Sequence, residues 1–288
     1  MAEPRLFHDP AALRAEIRQA QQAGKRVGLV PTMGALHQGH LSLVAQSQEA
    51  CDVTVVTIFV NPTQFAPGED FDKYPRTLDA DLALLSTFDP VWVLVPPVEA
   101  MYLPGSSTVV KAPKVATAWE GAFRPDHFDG VATIVLKLFL AAPADAAYFG
   151  QKDFQQVRVI EQMVRDLMVP IEIVRCPTVR EEDGLAMSSR NRYLSAEERQ
   201  IALGIFRALR EAAEQIAAGK SAAASLRRQV EEVMRQTGIG SIDYVAIVDP
   251  GTLESVQTIE AEVVILVAAR VGTTRLIDNL LVAPPRAS

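Results

Sequence analysis

The sequence predicts an α/β protein: a Rossmann-like, doubly wound parallel sheet in an N-terminal domain, followed by a smaller α+β C-terminal domain. Three observations carry this expectation. Continuous apolar, largely β-branched runs at 27–31 (VGLVP), 53–60 (VTVVTIFV) and 91–95 (VWVLV) suit strands buried on both faces. Segments of helical spacing lie between them, and strand–helix–strand order with right-handed crossovers builds a doubly wound sheet. Beyond residue 178 the order changes to helices followed by consecutive strands, which suits an α+β domain.

The elements follow in order. After strand 27–31 comes a turn rich in glycine and histidine, then a helix-like segment from Leu41 with Leu41, Val44 and Ala45 on one face. Further helices are expected at Asp79–Leu85 and Val131–Ala142. A short strand at 146–149 (AAYF), a helix over Asp153–Leu167 and a strand at 171–175 (IEIVR) complete this part. The charged segment Arg180-Glu181-Glu182-Asp183-Gly184 is read as a hinge region between residues 1–178 and 179–288. Ser195 and Glu198 then spell a capping box. The helix it opens has a face of Ala202, Phe206, Leu209, Ala213 and Ile216. A second helix is expected at 222–236, then strands at 242–248 and 262–269 and a last apolar run at 276–282.

Bulk properties narrow the function. The 288 residues suffice for two domains, and 49% apolar with 22% charged residues is globular composition. A net charge of −7 argues against a broad basic face for nucleic acid. No apolar run reaches the roughly 18 residues that cross a bilayer, and MAEPRLFHDP lacks the basic and apolar regions of a secretory leader. A cytoplasmic protein is expected, without membrane partner. Cys51 and Cys176 lie in no CxxC or Cys/His cluster and are read as buried thiols of a reducing compartment.

The turn 32-TMGALHQGH-40 sits where open α/β sheets bind ligands, beyond a strand's carboxyl end and at a helix N-terminus. Gly34 and Gly39 match half of a Walker loop, but His40-Leu41 replaces the required Lys-Ser/Thr. Three readings stay open here: a phosphate cradle, a metal site on His37 and His40, or an ordinary tight turn. The metal reading lacks a third ligand, since the other histidines are His8 and His127. A second segment, 187-MSSRNRYLS-195, places Ser188 and Ser189 beside Arg190, and an arginine fork matches phosphate oxygens. A Gly/His turn paired with such a basic loop is the arrangement of a nucleotidylyl-transfer enzyme gripping ATP.

These residues resemble the pantoate–β-alanine ligase family within the HIGH-motif nucleotidyltransferases. His37-Gln38-Gly39-His40 stands for HIGH, and Met187-Ser188-Ser189-Arg190 for KMSKS. PTMGALHQGH, FVNPTQF (59–65), YPRT (74–77), FRPDHFDGV (123–131), FGQKDFQQ (149–156) and MSSRNRYLS occur in the family's order along nearly the whole chain. One departure is Ala80, where the family often carries adjacent acids, so Asp79 and Asp81 replace any metal-linked role only in part.

The resemblance implies a two-step ligation through a pantoyl adenylate, with ATP as substrate, Mg²⁺ as cofactor, and pyrophosphate and AMP released. It implies ATP contacts at Met33, Gly34, Ala35, Leu36, His37, Gln38, Gly39 and His40. Further ATP contacts fall on Gly150, Gln151, Lys152, Asp153, Val179, Met187, Ser188, Ser189 and Arg190. Pantoate would lie against Gln64 and Gln156, with Gln64 also near β-alanine, and the protein would be a homodimer. His40, His37, Lys152 and Arg190 would carry catalysis by stabilising charge on the α-phosphate. No residue is assigned to a metal, and His127 stays outside the catalytic set, as a substrate contact or a helix cap.

Overall fold

The computed structural model describes residues 3–285, so the reading of the N-terminus falls partly, at Met1 and Ala2, outside the described residues. In chain order the first elements are β1 (Arg5–Phe7), α1 (Pro10–Gln22), β2 (Val27–Thr32), α2 (Gln38–Ala50), β3 (Val53–Ile58) and α3 (Leu78–Leu85). β4 (Val91–Leu94), α4 (Val98–Met101), α5 (Glu120–Phe123), α6 (His127–Ala141), β5 (Ala146–Gly150), α7 (Phe154–Asp166) and β6 (Glu172–Cys176) follow. The chain then forms α8 (Ala196–Ala217), α9 (Ala223–Gln236), β7 (Ser241–Val248), β8 (Val263–Val271) and β9 (Thr274–Val282). Two units result. One holds the residues up to Ala116, Arg124–Gln151 and Gln156–Pro177; the other holds Thr117–Phe123, Lys152–Gln155 and the residues from Thr178 onward.

In the first unit six described strands form one sheet in the order β1-β4-β3-β2-β5-β6, every neighbouring pair parallel. From β2 the chain winds one way through β3 and β4, then returns to build β5 and β6 on the other side. The carboxyl ends of β2 and β5 therefore flank the topological switch point. Alternation explains why the strands read as unbroken apolar runs. Leu29, Val55 and Phe149 point into one core with residues of α1, α6 and α7, while Val30, Val56 and Tyr148 point into another with residues of α2. Each such side chain adds about 1.5–3 kcal/mol by leaving water.

β1 and α1 extend the sequence-based expectation. The helix starts where Asp9 accepts from the Ala11 and Ala12 amides and Pro10 occupies its first turn. Both cysteines are free and buried, as expected.

In the second unit β7, β8 and β9 form an antiparallel sheet. Leu209 and Ile216 of α8 and Leu226 and Val230 of α9 share a core with Val245, Ile265 and Val267 of the strands. The expected capping box opens α8: the Glu198 amide donates to Ser195 Oγ at 3.1 Å, and the Ser195 amide donates to Glu198 Oε2 at 2.8 Å. No described helix is long and apolar enough to cross a membrane.

Candidate active site

The turn after β2 is built around one buried carboxylate. Asp81, in the first turn of α3, is 1% exposed. Its Oδ2 accepts from the Ala35 amide at 3.0 Å; its Oδ1 accepts from the Leu36 amide at 2.8 Å and from Thr77 Oγ1 at 3.2 Å. Three donors offset the cost of burying the charge. Thr32 Oγ1 accepts from the Gly34 amide and donates to the Thr57 carbonyl, which ties the turn to β3. Gly34 has φ +80°, and a Cβ there would sit 3.0 Å from Ile58 and 3.1 Å from Asp81, so the turn requires glycine.

The helix begins at Gln38, three residues before the Leu41 start expected from sequence, because His37 caps it. His37 Nδ1 accepts from the Gly39 amide at 3.2 Å, and His40 Nδ1 accepts from the His37 amide at 3.3 Å. This is a capping box made by two imidazoles, whose ring centroids lie 4.1 Å apart. An accepting Nδ1 places each ring's proton on Nε2. Both rings are thus fixed as Nε2–H donors at a helix N-terminus, where the macrodipole favours an anion.

The segment after β3 forms a second polar cluster. Asn61 is 1% exposed; its Nδ2 donates to Gln64 Oε1 and to the Gly130 carbonyl, and its Oδ1 accepts from Tyr102 and Thr63. Burial pushes the Tyr102 hydroxyl above its ordinary pKa, which keeps it a donor. Gln64 Nε2 donates to Met33 Sδ at 3.3 Å, which joins this cluster to the turn after β2. A Cβ on Gly130 would meet the Thr63 carbonyl oxygen at 2.5 Å, so α6 approaches the Pro62–Gln64 turn only because residue 130 is glycine.

His127 does not cap α6. That place belongs to Asp126, whose side chain makes no capping bond. Instead the His127 Nδ1–H donates to the Gln64 carbonyl at 2.8 Å, and Nε2 accepts from Arg124 at 3.1 Å. Arg124 also grips Glu69 with two bonds of 2.6 and 2.8 Å. Desolvation pushes the Glu69 carboxyl up, but the guanidinium prevails and holds it below its ordinary value.

In the second unit the charged segment 180–184, read as a hinge region, forms a hairpin. Arg180 pairs with Ala186 across it, and the Met187 amide donates to the Val179 carbonyl at 3.0 Å. Arg180 binds Asp278 with bonds of 2.6 and 2.9 Å and stacks over Phe206, while Arg199 bridges Glu181 and Asp183. Beyond Met187, Ser188 Oγ accepts from the Arg190 amide to start a 3-10 turn, Ser189–Tyr193. Asn191 anchors that turn to Glu181 and to the Ala186 carbonyl. Lys152 lies in a 3-10 turn, its Nζ 3.8 Å from Asp153.

The structure thus brings Met33, Gly34, Ala35, Leu36, His37, Gly39, His40 and Gln64 together in the first unit. Gly150 ends β5, beside β2, and Gln156 is half-buried in the first turn of α7. Asp79 is exposed on α3, and Asp81 is spent on the turn; the described residues hold no group of three His, Cys, Asp or Glu suited to a metal. Sequence reasoning missed Asn61, Tyr102, Arg124 and the clamp formed by Asp81. Asn61 and Arg124 stand inside the quoted motifs, but only tertiary contacts reveal their partners.

The family model described as pantoate-beta-alanine ligase matches residues 5–281. The chain is 49% identical to a pantothenate synthetase of Caldicellulosiruptor bescii over 92% of its own length and 94% of that protein. It is 51% identical to one of Chloroflexus aurantiacus over 93% and 95%. A crystal structure of pantothenate synthetase from Thermus thermophilus superposes with a TM-score of 0.91 at 46% identity, covering 96% of this chain and 98% of that one. The pantoate-beta-alanine ligase of Francisella tularensis, solved with beta-gamma ATP and beta-alanine, superposes at 0.79 with 33% identity over 96% and 97%. The chain belongs to the pantoate-beta-alanine ligase family and is, with it, a ligase.

Proposed function

We propose that the protein joins pantoate and β-alanine through a pantoyl adenylate. The carboxylate of pantoate attacks the α-phosphorus of ATP; a carboxyl O–P bond forms and the bond to the departing pyrophosphate breaks. The amine of β-alanine then attacks the acyl carbon, AMP leaves with the O–P bond intact, and the new amide nitrogen gives up a proton. The observation that carries this reading is the paired imidazole cap, which fixes two Nε2–H donors at a helix N-terminus beside the switch point. Such donors act where charge develops on non-bridging oxygens.

In this reading His40 and His37 face the α-phosphate, with Lys152 and Arg190 as the cationic groups. The remaining ATP contacts run over 33–40, 150–153 and 187–190 with Val179. Gln64 and Gln156 bind pantoate, since an amide donates to a carboxylate and accepts from hydroxyls. Residues 1–178 form the nucleotide and pantoate domain, and 179–288 the lid domain. Mg²⁺ accompanies the nucleotide. The ion is held mainly by the ATP phosphates and water, as Mg²⁺ commonly is, and no step is assigned to it. A cytoplasmic homodimer completes the reading, on the family likeness.

The test is pantoate-dependent exchange of labelled pyrophosphate into ATP without β-alanine. His40→Ala should lower it about 10²–10³-fold, as loss of one oxyanion donor does. Its cost in stability should stay near 1 kcal/mol, that of a lost cap. Full exchange in the variant, or exchange without pantoate, would overturn the assignment.

A further inference from the structure

Strand β9 carries two buried polar residues in the middle of an apolar run, LIDNLLV: Asp278 is 5% exposed and Asn279 3%. Neighbouring residues of a strand point to opposite faces, so the two side chains address different parts of the unit. Asp278 receives the Arg180 guanidinium in a two-bond fork, and the Asn279 amide donates to its Oδ1 at 2.7 Å. Arg180 also donates to the Asn279 carbonyl at 3.3 Å and to the Gly184 carbonyl at 3.2 Å. Asn279 Nδ2 donates to the Lys152 carbonyl at 2.8 Å.

A buried ion pair adds little net stability over an apolar pair of the same shape. A fork stacked on Phe206 does fix position, because both its planes and its distances are set. The groups it fixes are distinctive. Arg180 sits at the base of the hairpin that ends in Met187, and the 3-10 turn bearing Arg190 is tied to that hairpin through Asn191. Lys152 is separated from this segment by more than two dozen residues of sequence, yet its peptide hangs on the next residue of the same strand.

We infer that Asp278 and Asn279 are a positioning pair for adenylate formation: Asn279 holds the Lys152 peptide and Asp278, through Arg180, holds the hairpin leading to Met187–Arg190. One strand thereby sets the two cationic segments at a fixed separation. The inference rests on the reading of Lys152 and Arg190 as groups that meet the triphosphate. Neither member of the pair touches substrate in this scheme.

The experiment is a double-mutant cycle on the full-length protein. Pyrophosphate exchange at saturating ATP and the melting temperature are measured for Lys152→Ala, Asn279→Ala and the double variant. Asn279→Ala should slow exchange about tenfold or more, since displacing a catalytic group by about 1 Å costs up to 10²-fold. The double variant should be no slower than Lys152→Ala, because the lost contact acts through that side chain. Asn279→Ser, which keeps a donor, should recover part of the rate; it also replaces Asn279→Ala in the cycle if that variant does not fold. In the second arm Asp278→Asn should raise the KM for ATP and be non-additive with Arg190→Ala. Multiplicative losses in both cycles, at normal loss for Lys152→Ala alone, overturn the pair's role and leave the functional reading standing. Full exchange in Lys152→Ala overturns that reading, and the pair's role with it.

Discussion

The turn at 33–37 and the hairpin at 179–187 both precede a short helix start that bears a motif of the family, yet they are held by different physics. In the turn, a single carboxylate at 1% exposure takes two backbone amides and a hydroxyl. In the hairpin, side-chain charges add to the backbone bonds that join its two arms. Arg180–Asp278 is buried, while Arg199, Glu181 and Asp183 keep about a third of their side chains in water. Backbone donors pinned to a buried acceptor cannot re-pair with solvent, so the turn is a rigid cradle. The partly exposed pairs of Arg199 exchange partners with water and salt, so their share of the hairpin's hold depends on the solution. A cradle for the reacting phosphate benefits from the first property, because donors fixed in advance need no reorganisation as charge develops.

The contrast can be broken in three places. The largest effect is expected from Asp81→Ala, which strands the buried Ala35 and Leu36 amides. At about 1–3 kcal/mol for each unsatisfied group, the loss should be about 2–6 kcal/mol in urea unfolding, with pyrophosphate exchange falling alongside. A wild-type urea midpoint would show that the turn holds itself without the carboxylate.

Arg199→Ala should cost much less, under about 1 kcal/mol, and the cost should shrink as salt approaches 1 M, where the screening length is about 3 Å. A salt-independent loss of several kcal/mol would make the hairpin as rigidly held as the turn.

The smallest effect concerns acid. Desolvation raises the Asp183 carboxyl, but Arg199 and the Leu185 amide prevail and hold it below its ordinary value. With the folded value depressed, the contribution is present above about pH 4 and is lost as pH falls through the folded value. The stability gap between wild type and Asp183→Asn should therefore be open at neutral pH and close in acid. A gap that persists at the acid end would sever the hairpin from this titration.

Legibility followed the range of the interactions. The apolar runs of β2, β3 and β4, the Ser195–Glu198 box and the helix–helix–strand order of the second unit are local signals, and each appears in the structure within a few residues of its expected bounds. The three-residue β1 is too short to register as a pattern. His37 and His40 were visible as a pair, but their capping role moved the helix start to Gln38, a consequence of side-chain to backbone bonding that apolar spacing does not report. Asp81 looked like half of a possible metal site; only the fold shows its oxygens occupied by the turn 45 residues upstream. His127 read as a substrate contact or a cap; it does not cap its helix and holds the Gln64 carbonyl, 63 residues away. Arg180 to Gly184 read as a hinge region from its charge; the fold shows that it forms a hairpin whose charges find partners at Arg199 and Asp278.

By itself, then, the order of residues determined the fold class, the place of the turn at the end of a buried strand and the family, because apolar period, capping residues and motif order are properties of neighbouring positions. The tertiary structure alone decided which ring nitrogen of His37, His40 and His127 carries the proton, which carboxylate holds the turn, and that Asp278 and Asn279 serve segments remote from them in sequence. Those outcomes depend on which distant donor reaches each buried acceptor, and a buried polar group takes whichever partner the packing delivers.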